Sequence, residues 1–375
     1  MTQQSLAALA PRRIIILRAL YLGDLLCALP AFRALRRRFP ATEITLIGLP
    51  WARDLADRFP YLDRLLPFPG FPGLPEVPYE PARTEAFLAK AREAEYDLAI
   101  QLHGSGSYAN DLVAALGARV SLGFGAADDN RLTVTVPWCE EESELRRCLR
   151  LVGELGAETT DTSIEFPTTI EEERRACALL DARPTSGGPI IALHAGAKAP
   201  ERRWPVEKFA ALGDALSAQY RARIVLTGGP GEEELGRAIR RLMCVPSLDL
   251  TGETDLGTFA ALIARLDLLV TNDTGASHVA AATRTRSVVL FGPSRPVRWA
   301  PLDDALHTAV DAWAIRDCVG DRAIALAELP IGPVLAACDR ALVSTSRSTP
   351  VSVSGRNGVS RFLRREPDPE RVCGA

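Results

Sequence analysis

Residues 268–293 read LLVTNDTGASHVAAATRTRSVVLFGP, and no other stretch limits the fold as strongly. An apolar run at 268–271 enters Asn272-Asp273-Thr274-Gly275 directly. A helix is expected from near Ala276, with His278 in its first turn, and a second apolar run at 287–291 ends on Gly292-Pro293. Strand, small polar turn, helix and strand in this order predict a βαβ unit. Its turn points main-chain N–H groups outward at a helix N-terminus, where an anion is favoured. No Gly-Lys pair occurs in the chain, so this anion pocket is not a Walker loop.

The same alternation runs through the chain twice. In the first half, strands are expected at 13–17, 44–47, 64–66, 97–102 and 120–124, with helices at 25–38, 52–57, 84–95, 108–116 and 141–155. Residues 67–81 (PFPGFPGLPEVPYEP) are too dense in proline and glycine for anything but a loop. After a helical patch at 171–180, Arg183-Pro184-Thr185-Ser186-Gly187-Gly188-Pro189 has linker composition. The series then restarts, with strands at 190–194 and 223–226, a short one near Leu248, and helices at 206–219, 232–243, 256–265 and 333–343.

The expected architecture is therefore α/β: two Rossmann-like, doubly wound parallel-sheet domains facing a cleft. Their boundaries are 1–170, a linker region at 171–188, and 189–343. Residues 344–375, rich in Ser, Arg, Pro and Gly, are expected to be a largely disordered tail. A length of 375 residues suits two such domains better than one core.

Composition removes several function classes. A balance of 44 Lys+Arg against 47 Asp+Glu leaves a formal charge of −3 and no basic field for nucleic acid. The eight cysteines are scattered, without a C-x-x-C pair or cysteine–histidine clustering. That spacing argues against zinc and against a disulfide framework, and fits a reducing cytoplasm. No apolar run is long enough to span a bilayer, and the leader MTQQSLAALAPRR carries its positive charge after its apolar stretch, the reverse of a secretory signal.

In doubly wound sheets the ligand sits outside the carboxyl ends of the strands, so the residues just after each strand carry the functional argument. The first strand is followed by Arg18, then Ala19-Leu20-Tyr21-Leu22-Gly23-Asp24. Asp24 heads the next helix, where it can serve as an N-cap or, facing a cleft, as a general base. The first strand of the second half ends in His194-Ala195-Gly196-Ala197-Lys198, and Arg202-Arg203-Trp204-Pro205 follow. Lys198 and Arg202 offer positive charge to a diphosphate, or are solvated loop residues, while Trp204 can brace the loop. The 227–233 segment, TGGPGEE, is a turn that either approaches a nucleotide or only opens a helix. Residues 104–109 (GSGSYA) fit G-x-G-x-x-A after a strand. They follow a later strand of their domain, however, and no acidic residue ends the next one. The segment reads as a backbone turn at the cleft, near an acceptor.

Four segments together resemble the ADP-heptose:lipopolysaccharide heptosyltransferase family, glycosyltransferase family nine. They are IIILRALYLGDLLCALP (14–30), DLAIQLHGSG (97–106), HAGAKAPERRWPVEKF (194–209) and NDTGASHVAAATRTRSVVLFGPSRPVRWAP (272–301). The resemblance implies a GT-B architecture and inverting, metal-independent transfer of a sugar from a nucleotide diphosphate, an ADP-linked heptose being the family's donor. It implies no cofactor beyond that substrate. Carried over, Asp24 is the base. Thr274, Gly275 and His278 face the donor diphosphate, with Asp273 near the sugar hydroxyls and Lys198 and Arg202 adding charge. Arg18, Gly23, His103 and Gly104 fall on the acceptor side. The expected partners are a nucleotide-sugar donor and a glycan or lipid-linked acceptor, with peripheral contact at the inner face of the cytoplasmic membrane. The chain departs from the family where a lysine often precedes the Trp-Pro pair, having Arg202-Arg203 instead, and where Tyr21 replaces smaller residues. Two competing readings are an NAD-dependent nucleotide-sugar-modifying enzyme using 104–109, which lacks a Tyr-x-x-x-Lys pair, and a catalytically silent sugar-nucleotide-binding protein.

Overall fold

The computed structural model describes residues 6–181, 187–316 and 326–343. The tail expected at 344–375 lies outside the described residues, as does 182–186 of the expected linker. The first domain runs β1 (Arg13–Leu17), α1 (Leu22–Arg38), β2 (Glu43–Gly48), α2 (Ala52–Asp57), β3 (Arg64–Pro67), α3 (Pro81–Glu93), β4 (Leu98–Gln101), α4 (Ala109–Ala115), β5 (Val120–Gly125), β6 (Val134–Pro137) and α5 (Glu144–Gly153). Helix α6 (Ile170–Asp181) leads to the second domain: β7 (Ile190–His194), α7 (Val206–Tyr220), β8 (Arg223–Thr227), α8 (Glu233–Leu242), β9 (Ser247–Asp249), α9 (Leu256–Ile263), β10 (Leu268–Asn272), α10 (Gly275–Ala282), β11 (Ser287–Phe291), α11 (Pro296–Trp299), β12 (His307–Asp311), α12 (Ala312–Arg316) and α13 (Ile331–Val343).

Each domain is built on a six-stranded parallel sheet, and the two share one strand order. The first is β3-β2-β1-β4-β5-β6 and the second, in the same sense, β9-β8-β7-β10-β11-β12. The chain winds one way from β1 and the other way from β4, so a crevice opens between the ends of those two strands, and likewise between β7 and β10. The central strands are apolar because helices cover both faces: Ile14 to Leu17 of β1 and all of β10 are buried. The strands β6 (VTVP) and β12 (HTAVD) were not expected from the sequence. Both are half-buried edge strands, and an edge exposed to water carries no continuous apolar run.

The expected linker region opens as the helix α6, whose Ala176 and Leu180 are buried and whose body packs on α9. Arg58 of the first domain grips its first turn through Glu172, with Nη2 2.6 Å from Oε1. A second junction lies at the cleft, where the N-terminal turns of α1 and α10 cross. A Cβ at Gly23 would stand 2.7 Å from His278 Cδ2, and one at Gly275 would stand 3.0 Å from the Leu22 side chain. Glycine at both positions lets the helices approach this closely. Ala276, Val279 and Ala280 of α10 accordingly join the same apolar cluster as Leu25, Leu29 and Phe32 of α1.

Among the described residues no helix is long and apolar enough to cross a membrane. The described cysteines Cys27, Cys139, Cys148, Cys177, Cys244 and Cys338 carry free thiols.

Trp204 anchors the second domain from the loop after β7. Its indole is 1% exposed, meets Phe209 edge-on at 5.0 Å and donates from Nε1 to the Leu329 carbonyl at 2.9 Å. Trp204→Ala removes that packing and one of the two donors to the Leu329 carbonyl, leaving Lys208 Nζ at 2.9 Å, so it is expected to cost about 3–5 kcal/mol. A fall in the urea midpoint of the second domain's transition measures it, and a midpoint within error of the wild type contradicts the anchoring role.

Candidate active site

The crevices of the two sheets merge into a cleft of ≈ 900 Å³ between the domains. On the front side, β1 ends and Arg18 turns inward, only 1% exposed. Its Nε and Nη2 donate to the Asp24 carbonyl at 3.1 and 2.6 Å, and its Nη1 donates to the Leu102 carbonyl and, at 3.0 Å, to Glu144 Oε1. Arg18 was expected to face an acceptor. The structure makes it an internal clamp instead, because its guanidinium donors are taken up by protein oxygens.

The clamped turn places Asp24. The N-cap of α1 is Tyr21, without a side-chain cap, and Asp24 in the first turn reaches back to accept from the Tyr21 N–H. This is the carboxylate half of a capping box, so the simple N-cap reading of Asp24 is not the geometry adopted. Burial raises the carboxyl pKa above its ordinary value, against the opposing pull of Arg18, whose Nη2 lies 3.9 Å from Oδ1. The side chain is still 20% exposed and lines the cleft beside Tyr21, Leu22 and Gly23.

Two further acceptor-side expectations are corrected. His103 is buried, with Nδ1 accepting from Ala19 N–H at 3.3 Å and Nε2 3.5 Å from Glu76 Oε1. Gly104 takes a φ of +68°, and its carbonyl accepts from Gln101. Both shape the β4 end without lining the cleft. Gly106 of the same turn leaves no room for a pyrophosphate, since a Cβ there would lie 2.2 Å from the Phe124 carbonyl oxygen. The dinucleotide reading of 104–109 therefore loses its geometric basis.

On the rear side, Thr274 caps α10, its Oγ1 accepting from Ala276 N–H at 3.3 Å. Asp273, Thr274, Gly275 and His278 all line the cleft. Asp273 accepts from the Ser294 hydroxyl and lies 3.8 Å from Arg202 Nη1. Burial raises its pKa, against the pull of both partners. His278 is wedged against Gly23, with Nδ1 3.5 Å from Cys27 Sγ, and burial drives its pKa down to about 4. It meets the cleft as a neutral imidazole rather than as a cation. The exposed Lys198 crosses from the rear loop to the front domain, where Nζ donates to the Tyr21 hydroxyl and lies 3.7 Å from its ring centroid.

Three residues important to this geometry went unassigned in the sequence. Asn272, fully buried, staples the Lys198 loop: its Oδ1 accepts from Trp204 N–H at 3.0 Å and its Nδ2 donates to the Ala195 carbonyl at 2.9 Å. Glu232 accepts from Gly229 N–H at 2.8 Å and fills the space beside Gly196, where a Cβ would fall 2.0 Å from its Oε2. Its signal was the glycine excess at 228–231, which admits a carboxylate to the cleft wall. Glu144 left no local signal, since its partners come from distant segments. Among the described residues, no three His, Cys, Asp or Glu side chains converge to hold a metal ion.

Comparison with known proteins agrees with this construction. The family model for glycosyltransferase family 9 (heptosyltransferase) matches residues 85–319. The chain belongs to glycosyltransferase family 9. It is 27% identical to lipopolysaccharide heptosyltransferase 2 of Escherichia coli over 307 residues, 77% of this chain and 85% of that protein. It is 28% identical over 305 residues to the protein of the same name from Salmonella typhimurium, covering 77% of this chain and 85% of the other. A family 9 glycosyl transferase structure from Veillonella parvula superposes with a TM-score of 0.71 at 22% identity, covering 89% of this chain and 97% of the other. E. coli ADP-heptose lps heptosyltransferase II gives a TM-score of 0.70 at 23% identity, over 89% and 99%. The GT-B fold is thus shared, and the chain is a glycosyltransferase.

For a family 9 glycosyltransferase, the Asn272 staple has a direct consequence. Asn272→Ala leaves the buried Trp204 N–H and Ala195 carbonyl without partners, at a cost of about 1–3 kcal/mol for each orphaned group. The Lys198 loop loosens with it. Amide hydrogen exchange at 195–204 is expected to quicken in Asn272→Ala. Unchanged exchange there would show that Asn272 does not hold the loop.

Proposed function

We propose that this glycosyltransferase moves heptose from ADP-heptose to a hydroxyl of a lipopolysaccharide-type acceptor, with inversion at the anomeric carbon and without a metal. The observation that carries the reading is that one cleft is lined by both the Asp24 carboxylate and the 273–275 turn, each at the switch point of its own sheet. The donor and acceptor classes come from the relatives' names, lipopolysaccharide heptosyltransferase 2 and ADP-heptose lps heptosyltransferase II. A lipid-linked acceptor would bring the enzyme to the inner face of the cytoplasmic membrane.

The chemistry follows from the residues. Asp24 in its ionised form takes the proton of the acceptor hydroxyl, whose oxygen forms a bond to the anomeric carbon. The bond from that carbon to the diphosphate oxygen breaks on the opposite side, and its electron pair leaves with ADP. A single displacement of this kind inverts the centre. Charge growing on the leaving diphosphate is met by the N-terminal turn of α10, by Lys198 drawn off Tyr21, and by Arg202. These donors supply what a divalent ion would otherwise contribute. Contact between the domains keeps water from competing as acceptor.

The raised pKa of Asp24 gives the sign of the pH dependence. The base works only when ionised, so activity falls as pH drops through that pKa, and the acid limb lies above the ordinary aspartate value. Asp24→Asn is expected to lower kcat by about 10²–10⁴-fold while ADP-heptose affinity changes little. Undiminished turnover in this variant removes Asp24 from the mechanism. ADP and ADP-heptose are also expected to raise the melting temperature in the presence of a chelator. A shift that appears only with magnesium, or only with NAD, contradicts the reading.

A further inference from the structure

The turn after β11 and the short helix α11 that follows carry two arginines, Arg295 and Arg298, whose partners lie in the other domain. Arg295 pairs with Glu141, while Arg298 sets Nη1 3.4 Å from Glu140 Oε2 and Nη2 3.5 Å from Glu144 Oε2. The side chains of Glu140 and Glu141 are 69% and 58% exposed, so their pairs contribute little by themselves. Glu144 is different. It is buried, and its carboxylate is shared among arginines from both domains: Oε1 accepts from Arg18 at 3.0 Å, and Oε2 faces Arg147 and Arg298. The Arg298 guanidinium also lies 5.3 Å from the Trp138 ring, which receives Arg147 at 3.8 Å.

Arg18 connects this cluster to the cleft, because it holds the Asp24 carbonyl with two donors. The same segment after β11 reaches a second carboxylate of the cleft, through the Ser294 hydroxyl on Asp273. One segment of the rear domain thus touches Asp273 directly and Asp24 by way of Glu144 and Arg18.

We propose that Arg298 is a positioning residue whose pairing with Glu144 across the domain boundary couples engagement of the two domains to the placement of Asp24. The proposal deepens the transfer reading and rests on it. When the domains part, Arg18, Arg147 and Glu144 stay together in the front domain, and Arg298 is the charge that leaves. Glu144 is then less compensated, and Asp24 keeps its proton to higher pH. Parting the domains also exposes Asp24 to water and moves Asp273 away, and both act in the opposite sense, so the Arg298 contribution is read with the domains engaged. Burial opposes its ionised form most, Arg18 and His103 favour it, and Asp273 opposes it across the cleft. The thiols of Cys27 and Cys148 stay protonated, both pushed up by burial, and His278 is neutral.

The test follows the Asp24 carboxyl by 13C NMR in ligand-free protein, with the signal assigned by its loss in Asp24→Asn. Arg298→Met keeps an apolar stem beside Trp138 and removes the charge; Arg298→Lys restores the charge without the planar fork. The Asp24 midpoint is expected to rise in Arg298→Met and to return toward the wild type in Arg298→Lys. Small-angle scattering is expected to show Arg298→Met as compact as the wild type, held by the apolar cluster that α1 and α10 share, so that the midpoint reports the lost charge. With ADP-heptose, kcat is expected to fall about tenfold or more, with the donor KM within about threefold. Arg295→Met, which breaks only an exposed pair, is expected to match the wild type in all three measurements. An unchanged or lowered Asp24 midpoint in Arg298→Met overturns the coupling. A loss of donor affinity at constant kcat also overturns it. Because titration and scattering use no substrate, a wild type inactive on ADP-heptose counts against the donor assignment alone.

Discussion

The structure depends on a steric allowance at one point, where the N-terminal turns of α1 and α10 meet. A methyl group on Gly23 would stand only 2.7 Å from the His278 ring, and one on Gly275 would press on the Leu22 side chain at 3.0 Å. Because both lack one, two separately folded sheets share a continuous apolar cluster, and the turns carrying Asp24 and Asp273 to Gly275 open onto the same space. The strand order of each domain puts its crevice at its own switch point. The glycine crossing turns two crevices into one site.

Electrostatically the cleft is less simple than an anion cradle. Asp24, Glu201, Glu232, Asp255 and Asp273 line it together with Lys198 and Arg202, so carboxylates outnumber these cations. Three of the acids are restrained by protein donors: Asp24 by the Tyr21 N–H and Arg18, Asp273 by Ser294 and Arg202, Glu232 by the Gly229 N–H. That restraint fixes these three acids in place and, in the proposed transfer, would leave the helix terminus, Lys198 and Arg202 to meet the donor diphosphate.

Most of the architecture was legible in the sequence, because central parallel strands must be apolar along their whole length. The runs at β1, β7, β10 and β11 stand out for that reason, and the residues following β1, β7 and β10 line the cleft. The edge strands β6 and β12 were not legible, since one-sided burial leaves no continuous run. Among site residues, Asp24 and 273–275 could be read from strand–turn–helix grammar. The inward turn of Arg18 and the burial of His103 could not, because both follow from oxygens supplied by Leu102, Glu144 and Glu76, far away in the chain. Asn272 escaped notice for a related reason: a buried asparagine shows its worth only through the loop it holds.

The resting place of Lys198 has a consequence for substrate order. Its ammonium sits on the Tyr21 ring, a residue of the opposite domain. A diphosphate that recruits this cation must peel it from the aromatic surface and, in doing so, uncovers Tyr21 for whatever comes next. Under the proposed transfer, occupancy of the rear pocket would unveil part of the front one, so that nucleotide arrival would precede acceptor docking and a single side chain would act as a turnstile.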